Sequence, residues 1–201
     1  MFYDTQSNAH GMAHDPFKAI VSPRPIGWIG SKGRDGSYNL APYSFFTAIS
    51  DKPKMVMFSS TGRKDSLRNI EETGCFTANF VSHDLGAAMN ASSVPAGYGV
   101  SEFDLAGLTP AIGRLVEAPY VDEAYAVLEC KATDVISPKT LSGEACENLV
   151  VFGEVVGIHI ADSAMRDGRF DVTLVQPLAR LGYMDYAVVT EVFQMKRPSK
   201  V

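Results

Sequence analysis

The chain has 201 residues, 46% hydrophobic and 20% charged, with a net charge of -5, a balance that fits one globular domain with a sizeable core. The acidic balance excludes a broad basic field for nucleic acid or an acidic membrane surface, and no run of about 18 apolar residues exists to cross a bilayer as a helix. The three cysteines, Cys75, Cys130 and Cys146, lie far apart without metal-site or redox-motif spacing, and the polar start Met1-Phe2-Tyr3-Asp4 lacks the pattern of a secretion signal, so a reducing, cytoplasmic setting is the expectation.

Residues 1–15 lack periodicity and read as an N-terminal arm ahead of a single domain over 16–201. Pro23-Arg24-Pro25 breaks the chain, and Ile26 to Gly30 predicts a first barrel strand. Lys32 to Gly36 predicts a turn in which two glycines supply positive φ. Ser37 to Ser50 is β-like but interrupted by Pro42, which excludes a central ladder position. Lys54 to Phe58 predicts the next strand. Asp65 is placed to cap a helix over Ser66 to Glu72 that stops near Gly74. Cys75 to Ser82 alternates, with Phe76, Ala78 and Phe80 on one side and Thr77 and Asn79 on the other. A short helix is expected over 83–91, and then a Gly/Pro/Ser-rich excursion from Ser92 to Pro119. Glu123–Ile136 and Leu149–Ile160 alternate over lengths that cross a barrel, and a last β-like run lies near Tyr186–Met195. Many strands, few short helices and scattered turn signals give a mainly β fold, a closed or partly closed antiparallel barrel. The basic tail Lys196-Arg197-Pro198-Ser199-Lys200 reads as solvated rather than as a nucleic-acid contact.

Two segments carry groups suited to a ligand. In Asn39-Leu40-Ala41-Pro42-Tyr43-Ser44-Phe45-Phe46, small polar side chains flank a proline-disrupted backbone whose N–H and C=O groups are free to meet a planar heterocycle. A buried strand with a proline bulge has the same composition. In Phe58-Ser59-Ser60-Thr61-Gly62-Arg63-Lys64-Asp65-Ser66, hydroxyls, two cations and a helix start match what a phosphate dianion requires, although the spacing is not that of a Walker loop. A polar turn before a capped helix reads equally well. One strand separates the segments, so one can take the ring and the other the phosphate of a single mononucleotide. His10 and His14 lie in the aperiodic lead-in, and no metal site is expected there. His159 reads as a satisfied barrel histidine, Trp28 and Phe45-Phe46 as core or interface residues, and Cys130 as an inert buried thiol.

The run Pro16-Phe17-Lys18-Ala19-Ile20-Val21, Pro23-Arg24-Pro25-Ile26-Gly27-Trp28-Ile29 and Asn39 to Phe46 resembles the flavin reductase-like family of FMN-binding split barrels, which includes flavin reductase components of two-component monooxygenases and flavoredoxin. Further matches follow in the family's order: Arg63-Lys64-Asp65-Ser66, Ala88 to Ser93, Glu102-Phe103, Gly107-Leu108-Thr109, Leu128-Glu129-Cys130, Phe152 to Val156 and Pro177 to Gly182. The resemblance implies a homodimeric split barrel with FMN near the subunit interface. It places Asn39, Leu40, Ala41, Pro42 and Ser44 along the isoalloxazine, with Ser44 near N5 and O4. It places Ser59, Ser60, Arg63, Lys64 and Ser66 around the ribityl phosphate, and Ser92 and Ser93 close to the flavin. The chemistry is then flavin-centred, with no side-chain acid or base required. The implied activity is an NAD(P)H-dependent flavin reductase supplying a monooxygenase. The alternatives are a flavoredoxin-like electron carrier with little nicotinamide oxidation and a binding domain that has lost FMN. Tyr183 stands where the family often has a second glycine after Arg-Leu-Gly, beside the expected place of a nicotinamide.

Overall fold

A computed structural model describes residues 1–198, so the last residues of the expected basic tail lie outside the described residues. Residues 1–16 form turns without strand or helix. The chain then runs through α1 (Phe17–Ile20), β1 (Arg24–Pro25), β2 (Gly27–Lys32), β3 (Tyr38–Tyr43), β4 (Phe46–Asp51), β5 (Lys54–Thr61), α2 (Asp65–Thr73) and β6 (Cys75–Asn79). Next come α3 (Gly86–Ala91), α4 (Glu102–Ala106), β7 (Pro110–Ile112), β8 (Pro119–Val121), β9 (Ala126–Ile136) and β10 (Asn148–Ile160). The chain closes with β11 (Met165–Arg166), β12 (Arg169–Phe170), α5 (Val172–Val175), β13 (Leu178–Arg180) and β14 (Tyr186–Val188).

One seven-stranded sheet, in the order β3-β2-β6-β9-β10-β5-β4, carries the architecture. Every pairing in it is antiparallel. A smaller sheet, β1-β13-β14, lies beside it. The β-like stretch 37–50 resolves into two strands, β3 and β4, with Ser44 and Phe45 between them. Both are edge strands, so Pro42 sits where its missing N–H breaks no internal ladder. In the β2–β3 turn only Gly36 adopts positive φ, at 89°; Gly33 does not, contrary to the expectation that both glycines would.

Strand β5 runs three residues past the expected Phe58, which changes the reading of Ser59 to Thr61. Side chains alternate along a strand. Val56, Phe58 and Ser60 are buried, while Ser59 is half-buried and Thr61 exposed. The hydroxyls of Ser59 and Thr61 therefore share a face from which Ser60 is excluded.

Helix α2 stops at Gly74, whose φ of 74° and N–H bond to Ile70 O form a left-handed C-cap. Its N-terminus differs from expectation: Lys64 is the capping position and Asp65 the first helical residue, with no side-chain cap bond. The alternation of Cys75–Ser82 holds to Asn79, and both faces of β6 are buried. Thr77 donates to Pro119 O at 2.6 Å, and Asn79 bonds Trp28 O and Val121 N, each at 2.8 Å. The excursion 92–119 supplies that second cover and contains α4 and β7. The helix expected over 83–91 begins only at Gly86, and the final β-like run is a strand only to Val188.

The core has two parts. Ile29, Phe58, Leu67, Ile70, Phe76 and Val151 fill one. Trp28, Leu40, Met89, Phe103 and Val121 fill the other. Gly153 leaves room for Phe76, because a Cβ there would sit 2.6 Å from the phenyl ring. Cys130 is fully buried, and burial pushes its thiol pKa up to about 12, consistent with an unreactive core cysteine. Among the described residues no helix is long and apolar enough to cross a membrane.

Candidate functional site

A cleft of about 900 Å³ opens where the β3–β4 corner, the end of β5 and the start of α2 converge. The sequence-predicted residues Asn39, Ala41, Pro42, Ser44, Ser59, Lys64, Ser66, Ser92 and Ser93 all line it. The two early segments thus meet in one cavity.

Three predicted residues are not among the lining residues. Leu40 is fully buried in the core beneath β3, on the opposite side of the strand from its neighbours. Ser60 is fully buried, and its hydroxyl donates to Gly62 O at 3.0 Å. Arg63 is turned outward, where its guanidinium pairs with Glu71 at 2.6 Å. Ser92 reaches the cleft wall, but its hydroxyl is committed: it accepts from Trp28 Nε1 and donates to Met89 O, both at 2.8 Å. Ser93 is exposed and donates to Asn90 O at 2.6 Å. Trp28 belongs to the core.

A buried polar network braces the floor. Asn39 Nδ2 donates to Ser66 Oγ at 2.8 Å and approaches Ser31 Oγ at 3.3 Å. Asn69 of α2 donates to the same Ser31 hydroxyl at 3.2 Å. Ser59 Oγ accepts from Asn148 Nδ2 at 3.0 Å. Behind β3, the buried Glu102 carboxylate accepts the Leu40 N–H at 2.9 Å. Burial raises the Glu102 pKa, and the Leu40 bond offsets part of that rise. Tyr43 also borders the cleft, but its hydroxyl is buried beside those of Ser66 and Ser60. Burial raises its pKa as well, and the Ser66 and Ser60 hydroxyls offset part of that rise.

The remaining wall comes from distant parts of the chain. Lys18, Arg24, Arg180, Leu181 and Tyr183 contribute to it, with Asp15 and Phe17 from the N-terminal region. Tyr183 is a non-glycine residue at φ 54°, and its ring lies 5.5 Å from that of His14. Sequence reasoning missed Thr61, Asp65, Glu102, Tyr43, Arg24 and Arg180 as lining residues. Alternation along a longer β5 would have revealed Thr61. For Arg24, Glu102 and Arg180 no local signal exists, because chain folding alone brings them to the cleft.

His159 is confirmed as a satisfied strand histidine. Its Nε2 lies 2.5 Å from Glu129 Oε1. The Glu129 carboxylate also accepts the N–H groups of Arg114, Leu115 and Val116 at 2.6–3.0 Å. Burial alone would raise its pKa, but these bonds together outweigh burial and hold it below the usual range. This cluster fastens a loop and does not line the cleft.

Comparison with known proteins agrees with this architecture. A family model described as a flavin reductase like domain matches residues 21–185. An uncharacterized protein of Halalkalibacterium halodurans is 34% identical over 185 residues, covering 89% of this chain and 88% of that protein. Among solved structures, nitrilotriacetate monooxygenase component B from Bacillus cereus superposes with a TM-score of 0.87 at 28% identity, covering 97% of this chain and 98% of that one. Flavoredoxin of Desulfovibrio vulgaris gives a TM-score of 0.77 at 24% identity, over 87% and 91% of the two chains, and so attests the fold. The sheet order, the cleft at the β3–β4 corner and the matched span together make the chain a member of the flavin reductase-like family, with the mainly β split-barrel fold.

Proposed function

We propose that the cleft binds FMN and that the protein is an NAD(P)H-dependent flavin reductase, a cytoplasmic homodimer that supplies reduced flavin to a monooxygenase. The observation that carries this reading is the meeting of two sequence segments in one cavity, with Asn39 of the first bonded to Ser66 of the second. The residues present fit the cofactor. Lys64, Ser59, Thr61 and Ser66 would hold the phosphate, since they offer one cation and three hydroxyls on a common wall. Ala41 to Ser44 run along an edge strand and the corner after it, with no further strand paired on the outer side to exclude the polar edge of a ring. When bound, FMN would supply the hydride-accepting ring, and the chain's residues bind, orient and shield it. The monooxygenase partner is supported by the similarity to nitrilotriacetate monooxygenase component B. A homodimer is supported by an apolar groove of about 300 Å³ that includes Phe46, Ile158 and Ile160. In this reading residues 1–15 are an arm laid against the cleft, with Asp15 in its wall.

A specific observation favours the electron-carrier alternative. Tyr183 projects at the cleft from a left-handed backbone position, with His14 packed against it, and a phenol there narrows the approach of a nicotinamide. Anaerobic addition of NADH or NADPH to the FMN-loaded protein distinguishes the two. Bleaching of the flavin absorbance by either nucleotide supports the reductase. Bleaching by dithionite alone supports the carrier. A protein that gains no flavin absorbance contradicts both.

A further inference from the structure

Arg24 on β1 and Arg180 on β13 are directly opposed partners in an antiparallel pairing. Like charges at such a position repel. Arg24 is only 7% exposed. Its guanidinium donates to the carbonyls of Lys18, Val21 and Leu181, all neutral, and its Nε has no partner among the described residues. Arg180 is held by a bond to Tyr183 O and by stacking 4.5 Å from the Tyr186 ring centroid. Lys18 lies in the same cleft wall. Asp15 is the acidic residue from that part of the wall, and its carboxylate accepts the Phe17 N–H. Among the described residues none of these three cations forms an ion pair. Burial, and then the charge of Arg180, lower the pKa of Arg24.

A buried charge without a counter-ion is costly, and a second guanidinium on the paired strand at the same cavity wall raises that cost. An anion at this corner removes it, and the planar donor fork of arginine suits phosphate oxygens. The phosphate of the mononucleotide is already provided for by Lys64 and its neighbouring hydroxyls. We infer that the Arg24–Arg180–Lys18 corner is a second anion subsite, which takes the pyrophosphate of a nicotinamide dinucleotide while FMN occupies the rest of the cleft. This assignment rests on the FMN reading.

The test uses Arg180→Met with Lys18→Met, because Arg24 also ties α1 to Leu181 and its loss threatens folding. FMN-loaded wild-type and double-variant proteins are titrated calorimetrically with NADP⁺, and the FMN-free proteins with inorganic pyrophosphate. The double variant should bind both probes on the order of tenfold more weakly, with FMN affinity within about twofold of wild type. Unchanged NADP⁺ affinity overturns the assignment. So does an equal loss of FMN affinity, which would give the corner to the flavin phosphate. If FMN fails to bind while pyrophosphate binds in a manner that needs the two cations, the flavin reading falls and the anion subsite stands.

Discussion

The side-chain amide of Asn39 donates to Ser66 Oγ at 2.8 Å, and this one bond joins edge strand β3 to the first turn of α2. Both residues are nearly inaccessible. The bond therefore fixes the distance between the wall offered to a ring and the wall offered to a phosphate. Asn39→Ala leaves the Ser66 hydroxyl without its donor and should cost about 1–3 kcal/mol of stability. Because the two residues act as a unit, the double variant with Ser66→Ala should cost less than the sum of the single changes. Chemical denaturation of the four proteins measures this coupling.

Lys64 and Arg63 are adjacent, and the structure separates their side chains. Lys64 lines the cleft, whereas Arg63 pairs with Glu71 outside it. Lys64→Ala should weaken FMN binding by about tenfold or more, since charge-assisted bonds contribute roughly 1.5–3 kcal/mol. Arg63→Ala should change it by less than about twofold, as expected for an exposed ion pair. Flavin fluorescence titrations at low ionic strength decide between them.

Tyr183 holds a φ of 54° that glycine adopts without strain. Tyr183→Gly should leave the melting temperature unchanged or raised. If the phenol narrows nicotinamide access, the same variant should raise kcat/KM for NAD(P)H several-fold with little change in FMN affinity. Steady-state kinetics and thermal melts on one preparation give both readouts.

Two buried glutamates should respond to pH in opposite directions. Glu102 has a raised pKa, so the folded state binds more protons than the unfolded chain from the ordinary carboxylate range upward, and stability falls as pH rises through that window. Glu102→Gln removes this penalty, and its melting temperature relative to wild type should be more favourable near neutral pH than in acid. Glu129 has a lowered pKa, so its contribution is present above the ordinary carboxylate range and is lost as pH falls through the folded value. Glu129→Gln should be destabilised near neutral pH by about 1.5–3 kcal/mol or more, and the deficit should shrink in acid. Melting curves across pH for both variants test the pair.

The strands and the cleft's two main segments were legible because their signals are local. Alternation marks β6, β9 and β10, a short apolar run marks β5, and Pro42 marks an edge. Ser59 and Lys64 stand out by side-chain type close to a helix start. Where the reading stopped, the cause was three-dimensional. The outward turn of Arg63 depends on Glu71, two turns along α2. Leu40 and Ser60 fall on the core side by strand alternation, which the shortened estimate of β5 hid for Ser60. Glu102 meets Leu40 across 62 positions of sequence, and Arg24 meets Leu181 across 157. No window of neighbouring residues carries such contacts. Order of motifs, rather than any single one, pointed to the family.

A crystal structure grown with excess FMN tests the central claim most directly. The account predicts one flavin in the cleft, its phosphate against Lys64, Ser59 and Ser66 and its ring along Ala41 to Ser44. An empty cleft, or a flavin bound elsewhere on the chain, would contradict it.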